Sequence, residues 1–197
     1  MRQSRTSGST GSGVEQSRRL PNPYYRRFRI SGGSYFFTVN LNDRSKSLLV
    51  EHIDLLREAT RKVRSRYPFH IDACVILPDH LHCVWTLPEG DSDFSLRLRL
   101  LKTAFSKAIP ERCSCPLNRK GRMEAGIWQR RFWEHAIRDQ TDFNAHVDYV
   151  HINPVKHGLV SRVRDWPYST FHRYVKDGVL PVDWGGGVGI NIAEAGE

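Results

Sequence analysis

Residues 69–87 read FHIDACVILPDHLHCVWTL, and the break in the middle of this stretch decides the fold. Apolar and β-branched residues fill Phe69–Leu77, Pro78-Asp79 supplies a tight turn, and apolar density resumes over His80–Leu87. Two such runs joined so closely pair as an antiparallel hairpin. Successive side chains on a strand point to opposite faces. His80 and His82 therefore share one face, and Leu81 between them enters apolar packing on the other.

The elements on either side complete a repeating order. Upstream, Gly32-Gly33 precede SYFFTVNL (34–41), a β-branched and aromatic strand, and residues 47–66 carry Leu48, Leu49, Ile53, Leu56, Ala59 and Val63 at helical spacing until Pro68. Downstream, Asp91, Ser92 and Asp93 open a helix over 91–109 that Pro110 closes. Aromatic-rich Ile127–Ile137 supplies a fourth strand. Residues 141–153 form a third helix, capped by Thr141 or Asp142, with Pro154 just past its end. The order β-α-β-β-α-β-α predicts an α+β fold, a ferredoxin-like antiparallel sheet with helices packed on one face.

At 197 residues the chain suits one compact domain with tails. We expect a disordered basic arm over 1–23, the domain over 24–184 and a flexible tail over 185–197. Residues 1–20 are too polar to offset the entropy of ordering, and residues 1–29 hold seven Arg against one Glu, two-thirds of the net charge of +9. Such an arm, Arg26 and Arg27 included, can lie along phosphates. Further candidates for phosphate contact are Arg119, Lys120 and Arg122 in the basic loop 111–126, and Arg130 and Arg131 beyond it. Cys74 and Cys83 fall inside apolar runs, and Cys113 and Cys115 lack the second pair of a structural zinc site. No stretch approaches the ~18 apolar residues of a membrane span, and the N-terminus has no apolar core of a secretory signal. A cytoplasmic, nucleoid-associated setting without membrane contact is expected.

Two groups of residues carry candidate chemistry. His80 and His82, on one strand face, can ligate a single divalent ion. Tyr149 and Asn153, four apart on the third helix, stack on one helical face, and the Asn amide oxygen is a suitable third ligand for Mg²⁺ or Mn²⁺. Alone, an HxH pair is more often an ordinary polar strand and a helical Tyr a half-buried aromatic. Together they describe attack of the Tyr149 hydroxyl on a phosphodiester, giving a 5′-phosphotyrosine and a free 3′-hydroxyl.

The same residues carry a resemblance. Leu77-Pro78-Asp79-His80-Leu81-His82-Cys83-Val84-Trp85 resembles the His-hydrophobe-His motif of the IS200/IS605-type HUH tyrosine transposases. More narrowly, Trp128-Gln129-x-Arg131-Phe132-Trp133-Glu134-His135 and His146-Val147-Asp148-Tyr149, running on to Asn153-Pro154-Val155-Lys156-His157-Gly158-Leu159-Val160, resemble the REP-associated tyrosine transposases. The likeness runs from about Tyr24 to Trp184. It implies Tyr149 as nucleophile and a metal site of His80, His82 and Asn153, with Asn where the wider family commonly carries Gln. It also implies a monomer sooner than the dimer of the wider family, Mg²⁺ or Mn²⁺ as cofactor, and single-stranded or hairpin DNA of the REP/BIME repeat type as partner. The activity implied is a metal-dependent endonuclease and strand transferase. Trp166–Phe171 resembles the family's terminal helix, with packing over the sheet as its expected job. Residues 1–20 and 111–126 lie outside the pattern.

Rival functions fit less well. A hairpin-DNA binder without transposition activity has no need of Tyr149 together with His80, His82 and Asn153. A metallohydrolase barrel needs more ligands and more length. A zinc deaminase needs Cys-x-x-Cys and His-x-Glu, both absent. A two-His phosphoesterase wants a second His-x-Thr/Ser element, which His157-Gly158-Leu159 does not supply.

Overall fold

The computed structural model describes residues 28–110 and 126–185. Arg26, Arg27, Arg119, Lys120 and Arg122, and with them most of the expected arm, basic loop and C-terminal tail, lie outside the described residues. Four strands, β1 (Ser34–Asn40), β2 (His70–Ile76), β3 (His80–Thr86) and β4 (Trp133–Ala136), form one sheet in the order β2-β3-β1-β4. All neighbouring strands run antiparallel. Each crossover skips one strand, as a ferredoxin-like sheet requires, and the predicted 69–87 hairpin is the β2–β3 pair.

Helices α1 (Leu48–Glu51), α2 (Ile53–Arg66) and α3 (Phe94–Ala108) make the two crossovers. They pack on the face that carries Tyr35, Phe37 and Val39 of β1 and Leu81, Cys83 and Trp85 of β3. The helix predicted over 47–66 kinks at His52 but does not stop there, because His52 N–H still donates to Leu48 O and Leu56 N–H to His52 O. Helix α3 takes Asp93 as its N-cap, whose side chain accepts from Leu96 N–H at 3.1 Å.

Helix α4 (Gln140–Lys156) departs from the expectation that all helices share one face. It crosses the opposite face, where Val147, Tyr149 and Val150 meet Phe36, Ala73, Val75 and Val84. The two crossovers are held to one side by their right-handedness, whereas α4 follows the last strand and makes no crossover. It therefore covers the apolar face left open. Its cap is Asp139, accepting from Asp142 N–H at 2.9 Å, rather than Thr141 or Asp142. Pro154 lies inside the helix, not past it. Coming in the last turn, it removes one backbone donor without ending the helix, and the His157 N–H still reaches Asn153 O at 2.9 Å.

The expected fourth strand over 127–137 pairs continuously only at Trp133–Ala136, with a single bridge between Trp128 and Leu41. Downstream of α4 the chain returns along β2. Ile76 N–H donates to Tyr168 O, Trp166 Nε1–H to Ile76 O and Thr170 N–H to Cys74 O, so this segment covers the outer edge of the sheet. A short helix α5 (Phe171–Lys176) follows.

His151 ties α4 to that segment. It is fully buried, with Nε2 3.0 Å from Thr170 Oγ1 and its ring against Phe171, Tyr174 and Trp184. Burial, assisted by the charge of Arg173, pushes its pKa down to about 4. An unfolded imidazole takes up its proton near pH ~6.5, so between about 6.5 and 4 the unfolded chain binds a proton that the folded chain refuses. Stability is lost as pH falls through that window, by about 2–3 kcal/mol at pH ~4.5 from this group alone. Denaturant melts of His151→Leu at pH 7 and 4.5 should therefore show a smaller acid loss than the parent. An equal loss in both proteins would refute the assignment.

A histidine and tyrosine site between β3 and helix α4

The site is built from central strand β3 and the helix that covers it. The β1–β3 register sets Thr38 opposite His82 and Phe36 opposite Val84, which turns His80 and His82 toward α4 as the alternation predicted. Both histidines are buried, and their ring centroids lie 4.8 Å apart.

Each has one ring nitrogen committed. His80 Nδ1 lies 2.7 Å from Asp79 Oδ1, and Asp79 is also held by Arg44 Nε at 2.6 Å. Burial pushes the Asp79 carboxyl up, but the bonds from Arg44 and His80 outweigh it and hold the group below its ordinary range. A carboxylate only accepts, so the His80 proton sits on Nδ1 and the Nε2 lone pair is left for the site. His82 Nδ1 pairs with Thr38 Oγ1 at 2.9 Å, and its Nε2 is buried without a hydrogen-bond partner. Burial lowers the pKa of both imidazoles. For His82 the shift is large, deepened by the charges of His80, His157 and Lys156 and opposed by the Asn153 amide, which lies near the ring without completing a hydrogen bond.

Asn153 is fully buried on α4. Its Nδ2 donates to Tyr149 O at 3.1 Å, and because a carbonyl only accepts, this bond fixes which way round the amide lies. The Oδ1 is left buried and unpartnered. Unpaired buried polar atoms are costly, so a second one beside His82 Nε2 requires an explanation. A divalent cation supplies one, since Nε2 and an amide oxygen are both ligand atoms.

Tyr149 lies one helical turn before Asn153, 2% exposed, its ring edge-to-face with His82 at 5.2 Å and with Phe36 at 5.7 Å. Lys156 places its Nζ 4.9 Å from the centre of that ring. The structure thus brings together His80, His82, Tyr149 and Asn153.

Of the predicted arginines only Arg130 and Arg131 are among the described residues, and both are exposed. Arg130 lines a groove of about 830 Å³ with Arg29, Arg99, Lys102 and Lys107, along α3 on the far side of the sheet. Of the tryptophans, Trp85 and Trp128 are core, whereas Trp133 on β4 is 38% exposed and stacks with His135.

Two features were missed in the sequence. His157 sits beside His80, ring centroids 5.0 Å apart, and its signal was available, for it lies four residues past Asn153 as Asn153 lies four past Tyr149. The other is a second polar cluster, in which Asp142 accepts from His135 Nε2 at 2.8 Å and from Arg138 N–H at 3.0 Å, with His146 Nδ1 3.1 Å from its other oxygen. Desolvation works against the Asp142 anion, but these bonds prevail and bring its pKa to about 2.

A ferredoxin-like sheet whose central strand turns two histidines toward a tyrosine on the covering helix has the architecture of a tyrosine transposase. No protein-family model matches the chain. It is 53% identical over 164 residues to the REP-associated tyrosine transposase of Escherichia coli K12, covering 83% of this chain and 92% of that protein. A Haemophilus influenzae protein carrying the same family description is 49% identical over 169 residues, covering 85% of this chain and 96% of that one. Among solved structures, a REP-associated tyrosine transposase bound to a REP hairpin superposes with a TM-score of 0.75 at 51% identity, covering 88% of this chain and 96% of its own. The chain belongs to the REP-associated tyrosine transposases. Among the described residues no helix is long and apolar enough to cross a membrane.

Proposed function

We propose that this protein cuts and rejoins single-stranded DNA beside REP-type hairpins, through a covalent bond between Tyr149 and the DNA. The observation that carries the reading is the pair of buried, unpartnered ligand atoms, His82 Nε2 and Asn153 Oδ1, beside the Tyr149 ring. His80, His82 and Asn153 would hold a divalent cation such as Mg²⁺ or Mn²⁺, which when bound neutralises phosphate charge and stabilises the departing 3′-oxygen.

The chain's own residues do the rest. Asp79 and Thr38 hold the two imidazoles in their orientation. The Tyr149 hydroxyl attacks phosphorus, the bond from phosphorus to the 3′-oxygen breaks, and the phenol proton ends on that oxygen as a 3′-hydroxyl. The 5′-phosphotyrosine keeps the ester's free energy, so a second strand's 3′-hydroxyl reverses the step, takes the phosphate and returns the proton to Tyr149 without ATP. Lys156, over the phenol ring, presents a positive charge to the incoming phosphate. The basic groove that Arg130 lines gives the hairpin stem a phosphate-binding surface away from the reacting centre. The hairpin partner is supported by the solved relative, which carries a REP hairpin.

The deciding experiment is a denaturing gel. Hairpin DNA labelled on the 3′ side of the cut, incubated with the full chain and Mn²⁺, should give an SDS-resistant protein–DNA band. Hairpin binding with no such band under any divalent ion would return the protein to the binder-only reading.

A further inference from the structure

We propose that His157 is a ligand of the same metal site, a third imidazole that tilts it toward Mn²⁺, Co²⁺, Ni²⁺ or Zn²⁺ over Mg²⁺. The inference rests on the metal reading above and extends its ligand set. Ligand-capable nitrogens of His80, His82 and His157 all lie within 4.8 Å of one another. Three imidazoles gain little from such convergence by themselves. Neutral rings each have a lone pair to place, and nothing in the convergence itself satisfies three of them at once. A shared cation turns the convergence into an advantage. It also meets the demand of His82 Nε2 and Asn153 Oδ1, buried on the same side without partners.

The backbone places His157 for this role. It is the C-cap of α4, its N–H held by the Asn153 carbonyl at 2.9 Å, and Gly158 follows at φ +67°, where the chain turns away. The steps Tyr149, Asn153, His157 are each four residues, so all three fall along one stripe of the helix. His80 and His82 are buried and His157 is exposed, which makes it the solvent-side wall of the cluster. Three imidazoles and one amide oxygen are a poor set for Mg²⁺, which prefers oxygen ligands and keeps its waters, and a good one for borderline first-row ions.

The test is calorimetric titration of the tag-free full chain with Co²⁺ and, separately, Mg²⁺, without DNA. His157→Ala and His157→Gln are compared with the parent and with His80→Ala. Loss of a second-shell partner already costs about 10–100-fold in metal affinity, so loss of a ligand should weaken Co²⁺ binding at least tenfold. Mg²⁺ affinity should change by less than about threefold, and the visible Co²⁺ spectrum should shift. Parental Co²⁺ affinity and spectrum in both His157 variants, with binding lost in His80→Ala, would overturn this inference and leave the His80–His82–Asn153 site standing. Unchanged binding in His80→Ala as well would overturn both. Equal losses for Co²⁺ and Mg²⁺ would remove the selectivity. The exposed position of His157 makes a folding defect in these variants easy to detect as a lowered melting temperature.

Discussion

Tyr149→Phe should leave a folded protein that binds hairpin DNA and divalent metal, yields no cleaved strand and forms no covalent adduct. The substitution deletes one oxygen and keeps the ring. The edge-to-face contacts with His82 and Phe36 survive, and the stability cost should stay below about 1.5 kcal/mol. The ring's neighbours Val147 and Val150 hold α4 on the sheet whether or not the hydroxyl is present. What disappears is the only atom of this side chain that can bond to phosphorus. Tyr168 is the useful control, because its backbone lies along the edge of β2 and not on α4, and Tyr168→Phe should cut like the parent. Full cleavage by Tyr149→Phe would mean another nucleophile, water included, and would move the protein among hydrolytic nucleases. Should the variant melt early, mass spectrometry of the adduct peptide from the parent protein identifies the linked residue directly.

His80→Ala combined with His82→Ala should abolish cleavage as completely, and EDTA should do the same to the parent protein, while hairpin affinity stays within about threefold if the phosphate contacts lie elsewhere. The double substitution leaves no lone buried anion, because Asp79 keeps its 2.6 Å bond to Arg44. Thr38 loses its partner His82, a neutral bond worth about 1 kcal/mol. The fold should therefore survive the loss of the site. Burial lowers the pKa of both imidazoles, so protons compete little with a metal near neutrality. Undiminished cutting in EDTA would eliminate the metal mechanism, and cutting by the double variant would eliminate these ligands.

The parts of this molecule governed by local rules were legible from the sequence. Strand alternation put His80 and His82 on one face, helical spacing put Tyr149 and Asn153 on another, and Pro78-Asp79 marked the hairpin between β2 and β3. What depended on packing was not legible. Periodicity says that α4 has apolar residues to bury, but only the handedness of the crossovers and the uncovered face with Phe36 and Val84 decide where it goes. A proline normally ends a helix, and nothing local reveals that Pro154 falls in a last turn able to spare one donor. The convergence of His157 on His80 joins residues 77 positions apart, and only the folded sheet brings them together.

Helix α4 carries Tyr149, Asn153, Lys156 and His157 on one rod, and this shapes which inherited changes the protein can survive. A point substitution strikes one of these groups and leaves the others in place. Inserting or deleting a single residue between Tyr149 and Asn153 would rotate everything beyond it by about 100° and shift it ~1.5 Å along the axis. Asn153, Lys156 and His157 would leave their places around His80, His82 and the Tyr149 ring together. Over the stretch from 149 to 157 the length of the helix is therefore under tighter constraint than most of its individual letters, and a lineage that lost the reaction could reveal it first as a change in length.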